Sequence, residues 1–390
     1  TRQVRVAPSV PQPLPPTIVI DLENLESLKN LENLKNLQNL RSLEQLEAKL
    51  QNLDQILKLE EIGETTALGV EEIRKKLQEI EKADYTVQLQ NKKLIINKKY
   101  DVKEASWVET SPGVYVYRES FDASKLKSLN LDMGFGNINL VGTSEEDGEI
   151  VVQATGKLQT AEAMKKMIHL KFLIRDDGAH FDVRPSDNRS VSDQLNLEAT
   201  LTLPTKIGVS ASTSGGHISA DNLEGAHQLK TSGGHIVLNN MSGDVEAHTS
   251  GGHITCDNLK GTIGLKTQGG HIKIQNLVGE LSARTGGGHI EVSGLEGRGN
   301  VSTSGGNIST QVATLNGPLM LDTSAGNINL QLPPGLQADL SASGSKVILS
   351  EIFKFSGTQS DGRLQGTLNG GGVSVNAECD FGNVVIQSND

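Results

Sequence analysis

Aromatic residues are scarce. Seven Phe, four Tyr and one Trp make up 3% of the 390 residues, which argues against base-stacking platforms and sugar-stacking clefts. Cysteine is rarer still. Cys256 and Cys379 are the only two, and both fall on apolar places of an alternating pattern. They read as small buried residues rather than a disulfide or redox pair. Positive charge is in deficit, with 36 Lys and Arg against 47 Asp and Glu and a net charge of −11. Non-specific nucleic-acid binding needs a basic face, so no nucleic-acid partner is expected. No stretch approaches the ~18 consecutive apolar residues of a membrane span. Membrane attachment is therefore expected only through a segment outside this sequence, and Thr1 in place of Met fits a removed signal peptide, anchor or tag.

Glycine is plentiful, with 42 copies, and much of it marks a repeat. Gly-Gly-His-Ile occurs at Gly215–Ile218, Gly233–Ile236, Gly251–Ile254, Gly269–Ile272 and Gly287–Ile290. A sixth copy, Gly305-Gly306-Asn307-Ile308, keeps the spacing with Asn in place of His. Each marker follows the last by 18 residues, and a fixed period without insertions predicts a solenoid. Each unit divides into two strand-turn halves with Gly at the fourth place, where positive φ is expected to turn a corner. Apolar-polar alternation follows each Gly. It predicts three inward columns: Ile218, Ile236, Ile254, Ile272, Ile290 and Ile308; then Ala220, Leu238, Cys256, Ile274 and Val292; then Leu223, Met241, Leu259, Leu277 and Leu295. Asn222, Asn240, Asn258 and Asn276 are expected to stack as an amide ladder at the other corner.

If Ile218 points in, His217 points out. His217, His235, His253, His271 and His289 then stand in one exposed row, about 4.8 Å apart. Two readings follow. Adjacent rungs could offer two imidazoles to Zn²⁺, Cu²⁺ or Ni²⁺, but the next outward column (Ser219, Val237, Thr255, Lys273, Glu291) adds no consistent third ligand. The other reading is a stacked surface ladder, and it is preferred, so no metal or cofactor is expected. A pH-sensing row is a third use of the same residues. A calcium roll is excluded because Gly216, Gly234, Gly252, Gly270 and Gly288 stand where its Asp would be. No cluster of acids or bases suggests catalysis, and the protein is expected not to be an enzyme.

Residues 1–20 hold Pro8, Pro11, Pro13, Pro15 and Pro16 and read as an extended linker. Residues 21–83 read as a helical oligomerisation segment. Leu22, Leu25, Leu28, Leu31, Leu34, Leu37, Leu40, Leu43 and Leu46 recur every third place, which circles an α-helix rather than striping it. Leu46, Leu50, Leu53 and Leu57 continue with coiled-coil spacing, and Val70, Ile73, Leu77 and Ile80 mark a second amphipathic helix. Residues 84–124 read as a small β junction in which Trp107 plugs a core. Residues 125–212 read as irregular first rungs, with a short helix over Ala161 to His169 covering an end. Residues 213–312 are the regular rungs. Residues 313–390 are looser rungs with loops at 333–335 and 356–363 and no visible C-terminal cap.

Leu131-Asp132-Met133-Gly134-Phe135-Gly136-Asn137-Ile138, Leu201-Thr202-Leu203-Pro204, the Thr-Ser-Gly-Gly-x-Ile rungs and Gly362 to Gly372 occur in one order. That order resembles a bacterial β-strand-repeat family of candidate adhesins, a domain of largely unknown function, over about residues 125–390. The resemblance implies a β-solenoid, tethered to or exported across the cytoplasmic membrane, with no catalytic residues. Relatives often carry Asp after the Gly pair where five rungs here carry His. The fold expected is therefore mainly β, a parallel β-solenoid with 18-residue rungs behind an α-helical, coiled-coil-like segment. The function expected is a structural or adhesive protein of the bacterial envelope, periplasmic or extracellular. It would be a homo-oligomer or polymer with a cell-surface or glycan partner. The alternatives are a self-polymerising filament subunit and a metal- or glycan-binding module using the histidine row.

Overall fold

The computed structural model describes residues 17–21, 85–90, 93–98 and 106–389, apart from 157–159, 176–177 and 187–193. The chain forms two compact units, Thr1–Asp101 and Val102–Asp390. In the first, Lys93–Lys98 pairs antiparallel with Thr17–Asp21 on one side and Tyr85–Gln90 on the other. The leucine-rich segment expected to be helical, with Leu22 to Leu57, lies outside the described residues.

The second unit is mainly β, with one helix, Ala161–Met167, among the described residues. Five long strands form its middle: Ile236–His248, Ile254–Lys266, Ile272–Thr285, Ile290–Thr303 and Ile308–Thr323. They run parallel in register, so that Ile236 faces Ile254, then Ile272, Ile290 and Ile308. Alternation decides what is inside. The six marker isoleucines are at most 1% exposed, and so are both other inward columns read from the sequence. Polar residues between them face out, as the period of two requires.

The corners use glycine in two ways. In the second half of each repeat Gly225, Gly243, Gly261, Gly279 and Gly297 have φ between 107° and 148°, the region that favours a residue without Cβ. The Gly-Gly corner is different, because Gly216, Gly234, Gly252, Gly270 and Gly288 are not left-handed. A Cβ on Gly252 would sit 1.8 Å from the carbonyl oxygen of Gly234. Close approach of stacked backbones, not φ, demands glycine there, which corrects the expectation of positive φ at both corners. Asn222, Asn240, Asn258 and Asn276 do turn left-handed, with φ of 52–59°. Asn tolerates this conformation because its short amide bonds locally. Asn258 Nδ2 donates to Asn240 Oδ1 at 3.3 Å and Asn276 Nδ2 to Asn258 Oδ1 at 3.2 Å.

The ends do not follow chain order. Ser128–Met133 and Asn137–Thr143 lie between the earlier rung of Gly178–Pro185 with Leu195–Pro204 and the later rung of Gly208–Thr213 with Ile218–Asp221. At the other end Val373–Cys379 and Asn383–Ser388 slot in before Ala338–Ser343 and Lys346–Leu349. Antiparallel strands cover the rungs thus pushed outward. Ile168–Arg175, Asp147–Gly156, Val114–Asp122 and Val108–Ser111 do so first. Arg363–Leu368 and Phe355–Ser360 do so last. The second group corrects two expectations: residues 356–360 belong to a strand, and the C-terminal end has a cap over one wall. Trp107 is 5% exposed, 6.2 Å from the ring of Tyr117, as a core plug should be. The helix is capped by Thr160 and stops at Met167, because Ile168 begins an alternating strand that includes His169.

Candidate functional site: the histidine corner

The Thr-x-Gly-Gly-His-Ile corner is a set of bonds between successive coils. Thr249 is fully buried, and its hydroxyl donates to the carbonyl of Gly234 at 2.8 Å while accepting from the N–H of Gly252 at 3.2 Å. Thr231, Thr267, Thr285, Thr303 and Thr323 repeat this. The Ile254 N–H donates to the carbonyl of His271 at 2.9 Å, so the corner's backbone is satisfied by its neighbour. The threonine column was not singled out from the sequence. Its signal was a polar residue recurring at an inward place.

The five histidines stack. Ring centroids are 4.9–5.0 Å apart and the planes lie within 6° of parallel. Each Nδ1 accepts the backbone N–H of the next residue in the row. His235, His253, His271, His289 and Asn307 donate in turn, at 2.8–2.9 Å. Asparagine does the same work at the ends. Asn137 Oδ1 accepts from His217, Asn307 Oδ1 from Asn327, and Asn327 Oδ1 from Asn383. His and Asn interchange here because each presents an acceptor at the same reach from the backbone. A neutral ring that accepts at Nδ1 carries its proton on Nε2. The exposed edge of the row therefore offers N–H donors.

Chelation of a metal would require this stack to rearrange. A zinc ion binds imidazole nitrogens at about 2.0–2.1 Å, whereas these parallel rings direct their Nε2 atoms side by side at stacking distance. Each Nε2 also holds the proton that leaves Nδ1 free to accept. Among the described residues no three His, Cys, Asp or Glu side chains converge as a metal site. The pKa of His253 is lowered, first by burial and then by His235 and His271. Cys256 and Cys379 are free and buried, and burial raises both thiols.

Two further histidines differ from the row. His227 is 3% exposed in an inward column between Val209 and Val245, and neither ring nitrogen finds a hydrogen-bond partner among the described residues. Burial lowers its pKa to about 4. His248 stands outward, with its pKa lowered by burial and then by Lys266 and Lys230.

Among the described residues no helix is long and apolar enough to cross a membrane. The family model Toastrack DUF4097 matches residues 118–387. Among solved structures, the chain is similar to a candidate cell adhesion protein from Clostridium sporogenes, at 12% identity over 70% of this chain and 98% of that one, with a TM-score of 0.20. It is similar to a candidate adhesin from Bacteroides fragilis, at 11% identity over 70% and 96%, with a TM-score of 0.33. A candidate adhesin from Parabacteroides distasonis is 10% identical over 70% and 96%, with a TM-score of 0.29. No curated protein matches the chain.

Proposed function

The chain belongs to the Toastrack DUF4097 family, and from that premise we infer a non-enzymatic structural or adhesive role. The observation that carries it is the registered repetition of the outward columns. In the regular coils each surface position faces the one eighteen residues on; the histidine row and the asparagine corner offer the same side chain again at strand spacing, while the other outward columns change residue type from coil to coil. Such a surface suits a polymeric partner or another copy of itself better than a single small molecule. In this reading 18-residue coils build the rod, residues 21–83 make it oligomerise through Leu22 to Leu57, and residues 1–20 act as a spacer. The protein works in the bacterial envelope, exported, against a cell-surface or glycan partner.

The test is electron microscopy of the full chain beside a version lacking residues 1–83. Discrete particles of uniform size from the full chain and separate smaller ones from the truncated chain are expected. Long fibres from the full chain alone would replace this reading with a filament subunit. Metal uptake by the histidine row is tested by titration calorimetry with Zn²⁺ and Cu²⁺. No heat at micromolar protein is expected, since binding would have to displace the Nδ1 hydrogen bonds.

A further inference from the structure

One outward column breaks the pattern of charge on this surface. Two cations on other columns are matched in the adjoining rung: Lys273 pairs with Glu291 and Arg298 with Glu280. Lys230, His248, Lys266 and Arg284 instead face one another in four successive rungs. Lys230, Lys266 and Arg284 are exposed and make no ion pair among the described residues. The pKa of His248 between them is lowered, first by burial and then by Lys266 and Lys230. Like charges directly opposite on adjoining strands destabilise a sheet, so folding alone does not favour this column. Acids share this face too: the Glu246 carboxylate folds over Gly264, and Asp322, two rungs from Arg284 in the same column, feels its charge.

A second observation coincides with the first. A groove of about 580 Å³ opens at Lys266 and Arg284 and runs past Gln268, Asn300 and Ser302 to Asp322 and Glu378. That volume falls within the range of small-molecule sites. Its lining continues the same column, because Arg284 faces Ser302, Ser302 faces Asp322 and Asp322 faces Glu378. Arg284 Nε donates to Ser302 Oγ at 3.0 Å, which keeps the guanidinium over the groove.

We propose that this column and groove bind a linear acidic polysaccharide laid along the solenoid axis. Its anionic groups would sit over Lys230, Lys266 and Arg284, and its hydroxyls would bond Gln268, Asn300 and Ser302. Asp322 and Glu378 lie beyond Ser302 in the column and accept from hydroxyls, so the anionic groups are held to the end that carries Lys230, Lys266 and Arg284. With no aromatic side chain lining the groove, a nucleic acid has nothing to stack on. The net charge of −11 does not forbid the contact, since beyond about 8 Å it is screened at physiological salt. The proposal rests on the adhesive reading only in taking a polymer as ligand.

The experiment uses the full chain with polygalacturonate (carboxylates), dextran sulfate (sulfates), neutral dextran and an oligodeoxythymidylate. One or both acidic glycans should bind, and which of them does identifies the anionic group. Binding should weaken at least about tenfold when salt is raised to about 0.5 M. It should weaken by at least a similar factor in the triple variant Lys230→Gln, Lys266→Gln, Arg284→Gln, while Lys260→Gln, on another column, leaves it unchanged. The triple variant should melt no lower than the parent. If it does melt lower, Arg284→Gln alone decides the matter by the same comparison. Failure of both acidic glycans to bind, equal binding by neutral dextran, tighter binding of the oligonucleotide, or an unaltered triple variant would each overturn the proposal. The discrete particles expected by microscopy would be untouched by that failure.

Discussion

A methyl group placed on Gly252 would stand 1.8 Å from the carbonyl oxygen of Gly234, while one on Gly251 would meet nothing nearer than 4.0 Å. Gly252→Ala should therefore destabilise the unit by about 3 kcal/mol or more, because stacked backbone cannot move aside. Gly251→Ala should change the melting temperature little, and Ala325 already fills the matching place in a later coil. Equal melting temperatures for the two variants would refute this account of the corner. His227 poses the opposite problem, a polar ring in an apolar column. Its folded pKa of about 4 lies below the unfolded value near 6.5. The unfolded chain therefore takes up the proton first. Stability is complete above about pH 6.5, declines below it, and has lost this residue's share, about 3 kcal/mol, near pH 4. His227→Leu should flatten the fall in melting temperature between these limits and raise it at neutral pH. An acid limb as steep as the parent's would count against it.

The histidine row acts as one element. Each ring satisfies a backbone N–H of the next coil, and a ring protonated on both nitrogens has no acceptor left. The lowered pKa of His253 has the same sign as that of His227, so its contribution is also present above about pH 6.5 and lost as pH falls. His253→Asn should preserve stability and remove that part of the acid dependence, because Asn307 and Asn327 already make the same bond. His253→Leu leaves the N–H of His271 without its side-chain acceptor and should cost about 1 kcal/mol. Thermal melts of both variants at two pH values measure this directly, and parity between Asn and Leu would show that the bond contributes nothing.

For the second unit as a whole, the ends matter most. A stack of parallel strands would carry an open edge at each end, and open edges pair with other chains. Antiparallel strands cover both walls of the first rung, Gly178–Pro185 and Leu195–Pro204, and at the other end the strand pair Phe355–Ser360 with Arg363–Leu368 covers Ala338–Ser343. Replacing residues 354–369 with a short Gly-Ser linker should expose that edge. The expected result is concentration-dependent association seen by light scattering, where the parent shows none beyond its own oligomer. Unchanged scattering would mean that the edge is protected in some other way.

The repeat, its inward columns, the stacked histidine row and the asparagine corner could all be read from residue order, because alternation and a fixed period are local rules. Which glycine is needed for its φ and which for the nearness of another coil could not, since Gly216 and Gly225 occupy matching places in their half-repeats. Nor could the equivalence of His and Asn, which depends on a backbone N–H eighteen or more residues away. The threading of residues 128–143 and 373–388 inside their neighbours and the cap strands likewise depend on which strand lies beside which, whereas the basic column from Lys230 to Arg284 keeps the 18-residue step and lay open to the same reading as the histidine row. Sequence by itself determined the coil and the direction each side chain faces, because each is set by its immediate neighbours. Tertiary structure alone decided the order of the coils and the surface they share, because contacts between coils join residues that the chain keeps apart.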